Sequence, residues 1–433
     1  MNWKVKFERE LYDELYQYLF KFSPSENGCF ILANHIGNIL FVTDIVYPKK
    51  REWLDIGEDI CIPASIYLSY AVNKADSENK SLIFVHSHPR DFHPSIFSDI
   101  DVISNKKMFE NLTELVDTPL SSLVFSKKGI HGTVYWGSVN YDISDYSIIG
   151  RTMDFHLDVN LEGKAIDEDE LNRQLLFMKK SGVQNLTNLN IAIVGLGGIG
   201  SPLAVMLAKM GVLKMTFFDG DKVEIHNLPR IHGASRSSIG QYKAVVVKDF
   251  IESFSRATIG IKLKMISDAD ELMGYDFIFG CVDNHTARDI MNRASYTYAI
   301  PYVDSACAIP LNEIGNVEQS VVALNTVMPS SACLWCSQTL NAIQIMEESL
   351  SEEELEQRRI DGYILDVDEA PSVICLTSAV ASMAINRMLN LLGVYSDEYP
   401  DRVIFDFDST LLNESNFDKS EKCRCTLDNA FKR

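Results

Sequence analysis

The chain has 433 residues, more than one ordinary hydrophobic core fills, so two or three domains are expected. Forty basic against sixty acidic side chains leave a formal net charge of −20, which argues against a general nucleic-acid or anionic-membrane binder, since those partners attract lysine and arginine. Hydrophobic residues make up 46% and aromatics 10%, enough to build real cores, so a disordered chain is excluded.

No stretch approaches about 18 consecutive apolar residues, so no membrane span is expected. The opening Met1-Asn2-Trp3-Lys4-Val5-Lys6-Phe7-Glu8 has no apolar signal core, and a cytoplasmic chain is expected. Nine cysteines is an odd count that disfavours a disulfide framework. In a reducing compartment, close cysteine pairs point to metal, and single ones to core or nucleophile.

The apolar runs at 28–46 and 81–86, rich in Ile, Val, Leu and Phe, predict strands. Further strands are predicted over 121–137, around a Lys-Lys-Gly turn at 127–129. Residues 1–150 therefore form a small α+β domain, followed by a linker at 151–170 and a second domain over 171–433. There Asn190-Ile191-Ala192-Ile193-Val194 has the short continuous apolar run of a buried parallel strand. A glycine turn, a helix from Ser201 to Gly211 and a strand Lys214–Phe218 follow, and strands recur at 276–279 and 301–303. This alternation predicts a doubly wound, Rossmann-like α/β sheet. The acidic stretch 344–370 is expected to be a mobile connection carrying a short helix, and Ser372–Leu392 a buried, nearly all-round apolar helix.

His86-Ser87-His88-Pro89 directly follows the predicted strand Leu82–Val85. Histidines at i and i+2 leave a strand on one side, so both can reach one metal. A catalytic zinc needs three protein ligands and an open position for water. Asp101 is a candidate third ligand, because Ser98 as a helix N-cap would set Asp101 on the first turn. A carboxylate beside the metal water would shuttle its proton, and Glu26, just before the strand Cys29–Leu32, is the candidate. An isolated His-x-His can equally be a satisfied surface pair. Here the ordered set of Glu26, His86-Ser87-His88-Pro89 and Phe97-Ser98-x-x-Asp101 weakens that reading.

The set resembles the JAB/JAMM metalloproteases over roughly residues 1–150. The resemblance implies zinc on His86, His88 and an aspartate, Glu26 as acid/base and Ser98 supporting the intermediate. The family's usual spacing lands on Asp99, with its serine falling on Ile96; the Ser98/Asp101 match needs a loop two residues longer. Asp101 is favoured and Asp99 is the alternative. His93 reads as a loop histidine.

Gly195-Leu196-Gly197-Gly198-Ile199-Gly200-Ser201 lies between a predicted strand and helix, where glycines let phosphates approach backbone N–H groups. It is not a Walker A loop, since no Lys-Ser/Thr follows. Asp219, nineteen residues after Gly200, ends the next strand, where a carboxylate would meet ribose hydroxyls. Asn227-Leu228-Pro229-Arg230, Lys243, Val282-Asp283-Asn284 and Arg288 add positive groups for a triphosphate and an acid for Mg2+. That is the chemistry of adenylyl transfer, where catalysis is mostly positioning and charge neutralisation. Singly, each of these residues is more simply a cap or surface ion pair.

Together they resemble the ThiF/MoeB-like, ubiquitin-activating superfamily over about residues 165–433. The resemblance implies binding of ATP and Mg2+, and activation of the C-terminal glycine of a small ubiquitin-like or sulfur-carrier protein. A conjugating enzyme can follow. It also implies a homodimer in which Arg173, from the lead-in Leu171-Asn172-Arg173-Gln174, reaches the partner's ATP site. Ile231 departs from the glutamine common after the arginine.

Cys333-x-x-Cys336 and Cys423-x-Cys425 can form a structural four-cysteine zinc site, similar to the zinc knot of the activating family. Residues 337–374 contain no cysteine. Cys375 is the nearest candidate for a thioester, in the first turn of a helix that Ser372 would cap, where the dipole lowers a thiol pKa. Its simpler reading is a small buried residue. Cys29, Cys61, Cys281 and Cys307 read as core. The paired resemblances imply a two-headed enzyme of a bacterial ubiquitin-like pathway, of a kind associated with antiviral defence. The alternatives are a thiamin- or molybdopterin-type sulfur-carrier adenylyltransferase, peptide adenylation for an antibiotic, and a pseudo-enzyme scaffold.

Overall fold

The computed structural model describes every residue except 1–2, 50–52, 91–95, 110–111, 114–115, 138, 158–168, 313, 361–370, 395, 397 and 432–433. His93 and the later part of the acidic connection fall outside the described residues. The chain divides into two compact units, Met1–Glu162 with Ala430–Arg433, and Gly163–Asn429.

In the first unit the elements run β1 (Trp3–Glu8), α1 (Arg9–Phe20), β2 (Gly28–Ile36), β3 (Ile39–Val46), β4 (Trp53–Ile56), β5 (Cys61–Pro63), α2 (Ser65–Ser77), β6 (Ser81–His88), α3 (Asp99–Phe109), β7 (Leu120–Ser126), β8 (Gly129–Trp136), β9 (Val139–Ile149) and β10 (Met153–Leu157). Eight of these strands form one sheet in the order β1-β3-β2-β6-β7-β8-β9-β10, and β1 also pairs with β9, so the sheet closes through the long β9. β4 and β5 pair separately.

β6 is buried along its whole length, and its side chains alternate between two cores. Ile83 and Val85 join Phe7, Leu15 and Leu19 under α1, whereas Leu82 and Phe84 join Phe30, Tyr67 and Ala71 under α2. That period of two decides which way the histidines at the strand's end face.

The predicted linker needs correction at its start. Residues 153–157 form β10, paired antiparallel with β9. The second domain also ends before residue 433: Ala430 and Phe431 belong to the first unit, where Asn34 Nδ2 donates to the Ala430 carbonyl (2.8 Å) and Phe431 packs edge-on against Phe41. Phe431 is a buried aromatic.

The second unit contains α4 (Asn172–Asn188), β11 (Asn190–Val194), α5 (Gly200–Lys209), β12 (Lys214–Phe218), α6 (Lys243–Glu252), β13 (Thr258–Lys262), β14 (Phe277–Gly280), α7 (His285–Tyr298), β15 (Tyr302–Ala308), β16 (Val321–Val327), α8 (Ala342–Glu348), α9 (Glu352–Ile360), α10 (Ile374–Leu391), β17 (Arg402–Asp406), β18 (Leu411–Ser415) and α11 (Arg424–Leu427). Its sheet runs β13-β12-β11-β14-β15-β16-β17-β18. The first five strands are parallel and the last three pairings antiparallel. The chain winds outward from β11 to β13, then returns to the other side of β11 at β14. The crevice beyond the carboxyl ends of β11 and β14 is therefore the topological switch point, where doubly wound sheets bind ligands.

Two expectations for the tail of this unit change. The stretch 344–370 carries two helices among its described residues, α8 and α9. The apolar helix α10 is long and apolar enough to cross a membrane, with a mean hydropathy of 1.2, but half of it is buried. Leu376, Val380, Ala384 and Met388, at helical spacing, are buried, whereas Val373 and Ile374 at its start are exposed.

Candidate functional sites

In the first unit, antiparallel pairing matches Gly28 on β2 with His86 on β6. The same register carries Glu26 to a place opposite His88, and the Ser87 N–H donates to the Asn27 carbonyl (2.9 Å) to fix it. A Cβ on Gly28 would meet the Val85 carbonyl at 2.7 Å and Cys61 Sγ at 2.8 Å, so only glycine lets the strands approach this closely. Ser87 faces the opposite way, its hydroxyl donating to the Leu19 carbonyl (2.9 Å). His86 and His88 thus share the face of Leu82 and Phe84, and the His86 ring stacks on Phe84.

α3 supplies the third group. The Ser98 hydroxyl accepts from the Asp101 N–H (3.2 Å) and donates to Asp101 Oδ2 (2.7 Å), while the Ser98 N–H also donates to Oδ2 (2.7 Å). Held there, Asp101 lies 3.1 Å from His86 Nε2 and 3.2 Å from His88 Nε2. Asp99 makes no such approach among the described contacts, so the longer spacing is the one the fold uses. Glu26 Oε1 is 3.6 Å from His88 Nε2, and Glu26 Oε2 is buried without a hydrogen-bond partner.

Tetrahedral zinc with bonds near 2.05 Å spaces its nitrogen and oxygen donors about 3.3 Å apart. Each imidazole Nε2 stands at about that distance from one oxygen of Asp101, Oδ1 for His86 and Oδ2 for His88. Both ring nitrogens of His86 are buried without a hydrogen bond of good geometry, and Asp101 is the charged neighbour of Nε2. Burial would raise the Asp101 carboxyl, but the close approach of His86 and His88 and the hydrogen bonds from Ser98 outweigh it and hold it well below the usual carboxylate range. Glu26 behaves oppositely. Burial pushes its carboxyl up to about 8, only partly offset by His88. Two carboxylates set apart in this way suit a ligand and a proton carrier.

In the second unit the glycine loop joins β11 to α5. Gly195 has φ +89°, and a Cβ there would lie 2.6 Å from the Cys281 carbonyl; a Cβ on Gly200 would lie 1.9 Å from the Gly195 carbonyl. Both positions are closed to any side chain. A Cβ on Gly197 would meet nothing within 4 Å, so that side of the loop is open. A Cβ on Gly198 would meet Thr377 on α10 at 3.3 Å and Arg230 Cδ at 3.5 Å, which places the arginine beside the loop. Ser201 is structural here: its hydroxyl donates to the Gly197 carbonyl (2.8 Å) and accepts from the His232 N–H (3.1 Å).

Asp219, at the end of β12, is buried and accepts from the N–H groups of Leu196 (2.6 Å) and Asp221 (2.8 Å). It ties the glycine loop to the next strand, and each oxygen keeps acceptor capacity for a hydroxyl. Asn227 is also buried, its Oδ1 accepting from the Glu224 N–H (3.0 Å). Lys243 opens α6 and its Nζ lies 2.8 Å from Asp221 Oδ2. Asp283 is exposed at the carboxyl end of β14, and Asn284 caps α7 through the Ala287 N–H (2.8 Å). Arg173 is exposed on α4.

Arg288 departs from the sequence reading. It is turned inward, its side chain 12% exposed, with Nε 3.2 Å from the wholly buried Asp304. Sequence inspection missed Asp304 because it lies inside an apolar strand. It also missed Thr377, and Glu348, whose carboxylate accepts from the His285 and Thr286 N–H groups (2.8 Å each) at the start of α7.

The Sγ atoms of Cys333 and Cys336 lie 3.8 Å apart, those of Cys333 and Cys423 3.6 Å, and those of Cys336 and Cys425 3.7 Å. Zinc–sulfur bonds near 2.3 Å in a tetrahedron give about 3.8 Å, so the four fit one ion. Hydrogen bonding from Cys425 lowers the Cys333 thiol, which favours the thiolate form a metal takes. The buried-residue reading of Cys375 is corrected: it is exposed, and Val373 rather than Ser372 holds the cap position, without a side-chain cap.

Curated relatives include the ubiquitin-like modifier-activating enzyme 5 of Dictyostelium discoideum, 29% identical over 196 residues, 41% of this chain and 49% of that protein. The molybdopterin-synthase adenylyltransferase of Salmonella typhimurium is 29% identical over 141 residues, 31% of this chain and 57% of that protein. The chain thus spans only about half the length of these relatives. Among solved structures, E. coli MccB with MccA-N7isoASN aligns over 61% of this chain and 76% of that one, at 17% identity and a TM-score of 0.48. The first 170 residues lie outside the family match, which covers residues 171–427; that is more than half of the chain, and the chain belongs to the ThiF family.

Proposed function

We propose that the second unit adenylates the C-terminal carboxylate of a small ubiquitin-like or sulfur-carrier protein, using ATP. The observation that supports this reading is the glycine loop at the switch-point crevice, with open space where a Gly197 side chain would stand, Arg230 Cδ beside Gly198, and Asp283 just beyond β14. A partner's carboxylate oxygen would attack the α-phosphorus, the bond to the β-phosphate oxygen would break, and pyrophosphate would leave with that electron pair. Backbone N–H groups of the glycine loop would receive phosphate oxygens, and Arg230 would neutralise the charge that develops. Lys243 would exchange Asp221 for phosphate. Asp283 would hold the Mg2+ that shields the triphosphate. Arg173 would act on the partner subunit of a homodimer. A conjugating enzyme would take the product onward.

ATP–pyrophosphate exchange tests this reading, with a small protein ending in glycine that co-purifies with the chain from its native host. Exchange dependent on that protein and lost in Asp283→Ala is expected. No exchange together with no ATP binding overturns it.

The first unit we read as a zinc hydrolase of the JAMM kind, acting on the same partner. His86, His88 and Asp101 would hold the ion, and Cys333, Cys336, Cys423 and Cys425 a second, structural one. Bound zinc would supply an acidified water and polarise the scissile carbonyl. Glu26, buried beside His88, would take the water's proton and return it to the leaving amine. Cleavage of a fusion of the partner to a reporter tests this, and activity that survives His86→Ala would overturn it. We propose a cytoplasmic setting, where close cysteine pairs serve a metal.

A further inference from the structure

We infer that Asp304 is a positioning residue for nucleotide and metal binding, acting through Arg288 on the loop that presents Asp283; the inference rests on the adenylation reading. Parallel pairing sets Asp304 on β15 beside Gly280, the last residue of β14, so its carboxylate lies under the start of that loop. It has no exposed surface. Such a group is expensive to bury unless paired and hydrogen-bonded, and Asp304 is both. Oδ1 accepts from the Tyr302 hydroxyl (3.0 Å) and lies 3.2 Å from Arg288 Nε; Oδ2 accepts from Asn325 Nδ2 (2.9 Å).

Another nitrogen of the same guanidinium reaches the loop itself. Its guanidinium donates to the Val282 carbonyl (3.3 Å), the residue immediately before Asp283. Arg288 therefore bridges a fixed anion in the sheet and the backbone that aims Asp283. The anchor is rigid. Arg402 on β17 donates through Nε to Asn325 Oδ1 (2.8 Å) and through its guanidinium to the Ser337 carbonyl (2.8 Å), next to Cys336. Gly280 completes the arrangement: a Cβ there would meet the Tyr302 ring at 2.7 Å, so its absence lets the tyrosine lie across to the carboxylate. An arginine held this way is not free to serve as a phosphate ligand. Its charge is committed to the loop, and the loop's carboxylate is left to meet Mg2+.

The test is binding of ATP to the full chain, measured with saturating Mg2+ and again in EDTA. For Asp304→Asn we expect binding with Mg2+ to weaken about tenfold or more, a loss of about 1.4 kcal/mol, while binding in EDTA changes by less than about twofold on the same scale. A residue that only stabilises the fold would change both measurements together. Asp304→Asn leaves Arg288 unpaired and can misfold. The double variant Asp304→Asn/Arg288→Gln removes both charges and is expected to lose the Mg2+ effect in the same way. If wild type shows Mg2+-dependent binding and both variants match it, the positioning role is refuted and the adenylation reading stands. If Asp304→Asn binds ATP more tightly in EDTA, Arg288 is a phosphate ligand and the proposal is equally refuted. Wild type that binds no ATP under either condition sinks the adenylation reading and this inference with it.

Discussion

Adding one methyl group to the glycine loop separates its two kinds of glycine. In Gly200→Ala the new Cβ would stand 1.9 Å from the Gly195 carbonyl oxygen and 2.9 Å from its carbon. Ordinary contact needs more than about 3 Å, so the loop must retreat by over ~1 Å, well beyond what a packed interior yields freely. Gly195 has nowhere to go. Its N–H is bonded to the Phe218 carbonyl (2.9 Å), and its Cα side faces the Cys281 carbonyl. The cost belongs at the top of the overpacking range, about 3 kcal/mol. At roughly 2–4 °C per kcal/mol for a domain of 150–250 residues, the melting transition should fall by roughly 6–12 °C. Gly197→Ala is the counterpart, because its Cβ meets nothing within 4 Å. It should melt within about 2 °C of wild type yet bind ATP at least about tenfold more weakly, since the methyl stands where phosphate approaches the backbone. Calorimetric melting and ATP titration of both variants decide the matter. A Gly200→Ala protein with wild-type melting and wild-type binding would refute the reasoning.

Metal analysis should find two zinc ions per chain, one absent from His86→Ala/His88→Ala and the other from Cys423→Ser; a single ion that survives either change would remove one of the sites. Asp101→Asn should lose the first ion while Asp99→Asn keeps it, and the reverse pattern would reinstate the shorter spacing. Glu26→Gln should retain both ions but cleave a partner fusion at least ~100-fold more slowly, the ordinary worth of a general base; unchanged cleavage would remove Glu26 from the mechanism. Exposed Cys375 should capture the activated partner as a thioester that dithiothreitol releases and Cys375→Ala abolishes. Release of free adenylate without any covalent species, in wild type as in the variant, would favour the sulfur-carrier reading.

The legible parts of the molecule were those whose chemistry is written in short stretches. His86 and His88 were placed on one face by the period of a strand. The glycines at 195 and 200 announced a tight turn between strand and helix. The Cys333-x-x-Cys336 and Cys423-x-Cys425 pairs showed ligand spacing, although only folding brings Cys333 and Cys423, ninety residues apart, to 3.6 Å. Where the reading went astray, the deciding contact was distant. Arg288 looked like a phosphate ligand because its partner Asp304 is hidden in an apolar strand. Ser372 looked like a cap, but the helix begins later. The second domain was expected to run to residue 433, whereas the Phe431 ring lies against Phe41 in the first unit.

The sequence by itself determined the doubly wound alternation, the glycine loop and the histidine and cysteine pairs, because period, turn chemistry and ligand type are local properties. Tertiary structure decided which aspartate meets the histidines, where Glu26 stands and what Arg288 binds. Those outcomes depend on strand register and on the burial of charge, and both are settled by residues far apart in the chain that share one sheet edge only after it has folded.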